Sequence, residues 1–238
     1  MDKQFLISII EKYHLNGIHE KVKWTVKDKK IQIPFTSATM DLCGMVEAPN
    51  FDLDDCVLGI YDTNKLLKLI GITDQFLILN TDKHKLNIAD NEYNLVYNLA
   101  DLRMIPIETM VLDETQIDFT NSFDITDELI ERYIRAKKAL GTDEIKINAG
   151  YNEQQDPCIY FTLGGKTSHD DMASFSVPAL KIDSLSPQFT YNANYLLEIF
   201  SENKETTSTG WFDENGILKL EFIDKDNIKS LYYLPPKE

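Results

Sequence analysis

Phe5, Leu6, Ile9, Ile10 and Tyr13 recur at helical spacing, so residues 3–13 predict an amphipathic helix that Asn16 and Gly17 end. The period then shortens. KVKWTV (21–26) alternates strictly, and KIQIPF (30–35) does so again after the turn at Lys27, Asp28 and Lys29. Residues 37–48 extend this strand-rich region, and 52–60 reads as a further strand. It leads into YDTNKLLKLI (61–70), a second helix with Asp62 placed as its cap. QFLILN, KLNIAD and LVYNL follow as an expected antiparallel meander.

Residues 100–124 hold no helical period, and Pro106 restricts the backbone before it. The first part reads as a connector, with Ile117–Phe119 as a strand candidate. The order then restarts. ITDELIERYIRAKKALG (125–141) is a strong helix between Thr126 as cap and Gly141 as stop. EIKINAG, CIYFTLGG and ASFSVPAL are strand candidates; YNANYLLEIF (191–200) is a fourth helix; GILKLEF and SLYYLP are further strands.

YNANYLLEIF matches YDTNKLLKLI at Tyr, Asn, Leu and Leu without a gap. KLNIAD after one helix is echoed by KLEFID after the other. Chance explains one such word better than a shared order of helix, strands, helix, strands. The reading is an internal duplication within 238 residues, as an N-terminal domain over 1–106 and a C-terminal domain over 107–238. Leu66 and Leu67, with Leu196 and Leu197, are expected under the two sheets.

Charge sharpens the picture. The formal charge of -15 argues against a uniformly basic nucleic-acid surface and permits only a segregated one. Arg132, Arg135 and Lys138 lie opposite the apolar stripe of the third helix; Lys65 and Lys68 do so in the second; Lys3 and Lys12 flank that of the first. The fourth helix departs from this, with Asn194, Glu198 and Ser201 outward and Lys204 only near its end. The competing reading is that lysine and arginine are simply good surface helix formers.

Three cysteines without a CxxC pair fit a reducing compartment, and neither a signal peptide nor a membrane-length apolar run is expected. Catalytic signatures are weak. GGKT (164–167) lacks the earlier glycine of a phosphate loop, since position 160 is Tyr. His169, Asp170 and Asp171 need not converge on a metal, and Asp52, Asp54 and Asp55 alternate with Phe51, Leu53 and Cys56 as solvated positions would. No serine sits in a GxSxG elbow. The expectation is a non-enzyme without cofactor or metal.

The order of these pieces, with IYDTNKLLKLI, KLNIAD, YNANYLLEIF, LKLEF and SLYYLPP, resembles the DNA polymerase sliding clamps, those of large tailed phages above all. The resemblance extends over most of the chain. It implies an α+β DNA-clamp fold of two duplicated domains, with antiparallel sheets outside and helices lining the inner face of a closed ring of three subunits. It further implies that the ring encircles double-stranded DNA without regard to sequence, is placed there by an ATP-dependent loader, and tethers the replicative polymerase in the cytoplasm of an infected bacterium. Lys12, Lys65, Lys68, Arg132, Arg135 and Lys138 would face DNA. Met104, Ile105, Leu112, Leu234 and Pro235 would form the partner-peptide pocket beside the connector and the C-terminal tail. Two rival readings are a monomeric DNA-binding polymerase accessory protein and a β-rich virion structural or carbohydrate-binding protein.

Overall fold

The structure, a computed structural model, describes residues 1–82, 84–105, 117–165, 167, 170–183 and 185–237. The chain forms two compact units, Met1–Met110 with Asp224–Ser230 and Val111–Ile223 with Leu231–Glu238. The assignment of Asp224–Ser230 to the first unit is a feature that a single cut in the sequence does not express.

In the first unit, α1 (Lys3–His14) starts at Asp2, whose carboxylate accepts the amides of Gln4 at 2.8 Å and Phe5 at 3.1 Å. These satisfy donors that the first helical turn leaves without partners. Strands β1 (Val22–Lys27), β2 (Lys30–Thr36), β3 (Cys43–Ala48) and β4 (Cys56–Ile60) pair antiparallel in the order β4-β1-β2-β3. β4 is shorter than expected: it begins at Cys56, after a loop in which Phe51 and Leu53 point inward while Asp52, Asp54 and Asp55 are exposed. α2 (Thr63–Gly71) follows, then β5 (Ile78–Thr81), β6 (Lys85–Ala89) and β7 (Asn94–Asn98), the expected meander, as a separate three-stranded sheet. Leu6, Ile9, Ile10 and Tyr13 of α1 and Leu66 and Ile70 of α2 are fully buried, together with Trp24, Ile33, Val46 and Ile88 from the strands.

The second unit repeats this order behind one added strand. β8 (Asn121–Asp124) precedes α3 (Asp127–Leu140). β9 (Glu144–Tyr151), β10 (Pro157–Gly164), β11 (Met172–Ile182) and β12 (Phe189–Asn192) pair as β12-β9-β10-β11, the counterpart of β4-β1-β2-β3. α4 (Ala193–Glu202), β13 (Thr207–Phe212), β14 (Leu218–Ile223) and β15 (Lys229–Leu234), which belongs to this unit from Leu231 on, complete the repeat. β8 joins β11 on one side and β13 on the other. Phe123 of β8 lies directly over Gly210 of β13, where a Cβ would come within 2.4 Å of its ring. The core continues through edge-to-face ring contacts from Tyr133 to Phe200, Phe222 and Tyr232.

The duplication extends to individual hydrogen bonds. The first amide of α2, Thr63, donates to the Glu20 carbonyl at 3.2 Å, and that of α4, Ala193, donates to the Asp143 carbonyl at 3.0 Å. One residue on, the Asn64 and Asn194 side-chain amides donate to the carboxylates of those same acidic residues. The Tyr13 hydroxyl meets the Thr63 hydroxyl at 3.3 Å, and the Tyr133 hydroxyl donates to the Ala193 carbonyl at 2.5 Å. The echoed KLNIAD and KLEFID fall on β6 and β14, the middle strands of the two three-strand runs that follow α2 and α4.

Two expectations are corrected. Leu67 and Leu197 are only half-buried; the buried partners of Leu66 and Leu196 lie a full turn on, at Ile70 in α2 and at Ile199 and Phe200 in α4. Ile117–Phe119 is not a strand, and the pairing begins at Asn121.

Candidate nucleic-acid interface

α2 is set by the Asp62 carboxylate, which accepts the Lys65 amide at 2.8 Å, and by burial of Leu66 and Ile70. With that face fixed inward, Lys65 and Lys68 are exposed on the other. α3 is built in the same way. The Thr126 hydroxyl accepts the Leu129 amide at 3.2 Å, and Gly141 closes the helix in the left-handed region at φ +64°. Leu129, Ile130 and Tyr133 are buried, and Arg132, Arg135 and Lys138 emerge on the exposed face.

These cations are held differently. Arg132 forms an ion pair with Glu128 one turn back, and the Arg135 guanidinium donates to the Glu131 carbonyl at 3.3 Å. Exposed pairs of this kind contribute about 0.3–0.5 kcal/mol and reorganise easily when a stronger anion approaches. A phosphate contact therefore competes with weak local partners.

Other basic residues are committed to the fold. The Lys3 amine donates to the Gly71 carbonyl at 2.9 Å and the Thr73 carbonyl at 2.6 Å, capping the end of α2. Lys12, expected to face DNA, is instead 3% exposed with its amine 3.7 Å from the Asp224 carboxylate, which holds it inside the fold. Lys137 is likewise buried, 3.9 Å from the Asp143 carboxylate. Asp143 thus serves both Lys137 and Asn194, a role its sequence position gave no sign of. On α4, Asn194 is exposed and Glu198 is half-buried, and Lys204 is exposed just past the helix end.

The expected peptide-pocket residues divide. Met104 and Pro235 are exposed, Met104 strongly so at 75%. Ile105 is buried and reaches Gly59 of β4, where a Cβ would meet its Cδ1 at 3.0 Å. Leu234 is buried as well, and Leu112 lies outside the described residues.

The other chemical candidates find bland settings. Gly164 and Gly165 both have positive φ at the β10–β11 hairpin, where Gly164 lies opposite Met172; this is a turn between strands and not a strand-to-helix phosphate loop. Among the described residues no three His, Cys, Asp or Glu side chains are grouped to hold a metal ion, and His169 lies outside them. No described helix is long and apolar enough to cross a membrane.

Duplicated units, each pairing two helices with antiparallel strands, form an α+β clamp-like architecture. Similar solved structures agree over the full length. An A. fulgidus PCNA, in a structure with the C-terminal region of FEN-1 bound, superposes with a TM-score of 0.78 at 14% identity, covering 100% of this chain and 97% of that one. The PCNA of Entamoeba histolytica gives 0.76 at 14% identity, with 100% and 96% covered. The PCNA2–PCNA3 complex of Sulfolobus tokodaii gives 0.74 at 13% identity, with 100% and 97% covered. No family model and no curated protein matches the chain by sequence.

Proposed function

We propose that this chain is the subunit of a ring-shaped sliding clamp that encircles duplex DNA and tethers a replicative polymerase. The carrying observation is the exposure of Lys65, Lys68, Arg132, Arg135 and Lys138 on helix faces opposite buried apolar stripes, in a chain of net charge -15. Cations placed there suit mobile, sequence-independent phosphate contacts. An acidic remainder discourages adhesion elsewhere. A ring holds DNA by topology, so weak contacts suffice, and a tethered polymerase remains near its template at high effective concentration.

The ring is proposed to contain three copies and to be opened by an ATP-dependent loader. Open strand edges favour such an assembly. Among the described residues β7 ends its sheet, and β11 pairs with β8 only from Ala179 onward, leaving its Met172–Pro178 stretch bonded to β10 alone. Head-to-tail joining of two different edges closes when the rotation closes. Met104, strongly exposed in the first unit, is proposed to receive a polymerase peptide. A phage origin and a bacterial cytoplasmic setting complete the proposal.

The test replaces Arg132, Arg135 and Lys138 by Ala and follows synthesis on a singly primed circular template with loader and polymerase supplied. Shorter products at every salt concentration, with unchanged ring assembly and unchanged clamp-free synthesis, support the reading. Equal product length across the salt series removes these residues from it.

A further inference from the structure

The two units treat one strand edge differently. In unit 2, β8 covers β13 over four antiparallel pairs, from Phe212↔Asn121 to Thr209↔Asp124. The corresponding strand of unit 1, the first after α2, is β5. Just ahead of β5 lies an isolated antiparallel bridge between Asp2 and Phe76. The Lys3 amide donates to the Gln75 carbonyl at 2.8 Å. Leu77 then exchanges both backbone bonds with Met1: its amide donates to the Met1 carbonyl at 2.9 Å, and its carbonyl accepts the Met1 amine at 2.8 Å.

Backbone groups of alternate residues face the same edge of a strand. Leu79 and Thr81 therefore direct their N–H and C=O groups to the side on which Leu77 meets Met1. Ile78 and Asn80 direct theirs to β6, in phase with the Asp82 amide bonded to the Lys85 carbonyl at 3.0 Å in the hairpin turn. Among the described residues β5 has no strand on its outer side.

Beside this edge lies a cavity of about 570 Å³, walled across from β5 by Lys29, Asp52, Leu53, Asp54 and Asp55. Leu53 is buried at its floor, while the three aspartates are exposed at its rim. Against them stand Lys29 and the Met1 amine, the latter already bonded to Leu77.

We propose that β5 accepts a strand from a partner protein: an extended segment with Lys or Arg at alternate positions, adding to unit 1 the rungs that β8 supplies in unit 2. Backbone bonds to Leu79 and Thr81 set its register. Its basic side chains face Asp52 and Asp54, and the intervening small apolar ones face Leu53. A second copy of the chain is the poorer occupant, because edge-to-edge pairing of two β5 strands brings two sets of these aspartates together. Addition to an open edge is a general mode of peptide recognition, with main-chain bonds giving affinity and alternate side chains giving selectivity. The proposal stands independently of DNA encirclement.

The experiment titrates the full chain with acetyl-KVKVKV-amide, and with acetyl-EVEVEV-amide in parallel, while amide hydrogen exchange is read by NMR. Saturable binding of the basic peptide alone, with exchange at Leu79 and Thr81 slowed about tenfold or more, is expected. Thr81→Pro removes an outward donor, together with the hydroxyl bonds to the Asp82 and Lys85 carbonyls in the hairpin turn, while the backbone bonds of the β6 ladder stay; it should weaken binding by about tenfold. Asp52→Asn with Asp54→Asn should weaken it several-fold, most at low salt. Asp55 is left in place because its carboxylate accepts the Asp28 amide at 2.9 Å. If Thr81→Pro does not fold, the aspartate pair decides. Absence of binding at millimolar peptide, protection at another edge, equal binding of the acidic peptide, or unchanged affinity in the aspartate variant overturns the proposal.

Discussion

Leu66 and Leu67 are neighbours in sequence and unequal in burial. Leu66 is fully enclosed, whereas Leu67 stands half-exposed at the margin of the stripe. Leu66→Ala should therefore cost about 2–5 kcal/mol in denaturant unfolding, with Leu67→Ala clearly below it. A larger loss at Leu67 would contradict the assigned face. His19 sets a second residue-scale expectation. It is 4% exposed, lies against the Phe35 ring at 4.7 Å, and has no hydrogen-bond partner for Nε2 among the described residues. Burial lowers its pKa from 6.5 to about 4; His14 pushes the same way, while the Thr36 backbone and Asp41 act against it. Between those values the unfolded chain binds more protons than the folded one, so stability rises with pH there. Stability present above about pH 6.5 is lost as pH falls toward 4, on the order of 3 kcal/mol for this group. Urea midpoints across that range should slope in the wild type and flatten in a folded His19→Gln variant. An equal slope in both would remove His19 as the cause.

At the scale of elements, the helices were legible because period and caps agree. Asp62, Thr126 and Asn192 each accept an amide in the first turn that follows. Asp62→Ala should cost about 1 kcal/mol, read by thermal unfolding, and no loss would deny the cap its role. β1 and β2, which alternate strictly, were legible for the same reason, while the meander β5–β7 was legible as short apolar runs separated by polar turns. β13 was not, because its inward positions are Ser208, Gly210 and Phe212, two of them without apolar bulk. Gly210 is small because Phe123 occupies the space above it, a constraint imposed by another strand and invisible locally. β8 and β12 span only four residues each, too few to show a period. The exposed cations of α2 and α3 followed from helical geometry. The burial of Lys12 did not, since Asp224 approaches it from more than 200 positions away in sequence. Nor was the pairing of Glu20 with Asn64 or of Asp143 with Asn194 legible, since these side chains meet across 44 and 51 positions.

For the whole molecule, the proposal predicts that assembly and DNA retention are linked. Sedimentation of the purified chain across a dilution series should show a species of three times 27.4 kDa at high concentration. A charge placed on an edge proposed to join subunits, as in Val96→Lys on exposed β7, should shift the mass toward one chain while unit 1 stays folded. A mass unmoved by that change would place the joint elsewhere. The central claim is encirclement, and its most direct measurement is topological. The chain is loaded with its loader and ATP onto nicked circular DNA, separated from free protein by gel filtration, and the circle is then cut once. Encirclement predicts that the chain elutes with intact circles at salt high enough to screen phosphate contacts and is released when the DNA becomes linear. Retention that is the same on cut and uncut DNA, or no retention on circles at all, would contradict it.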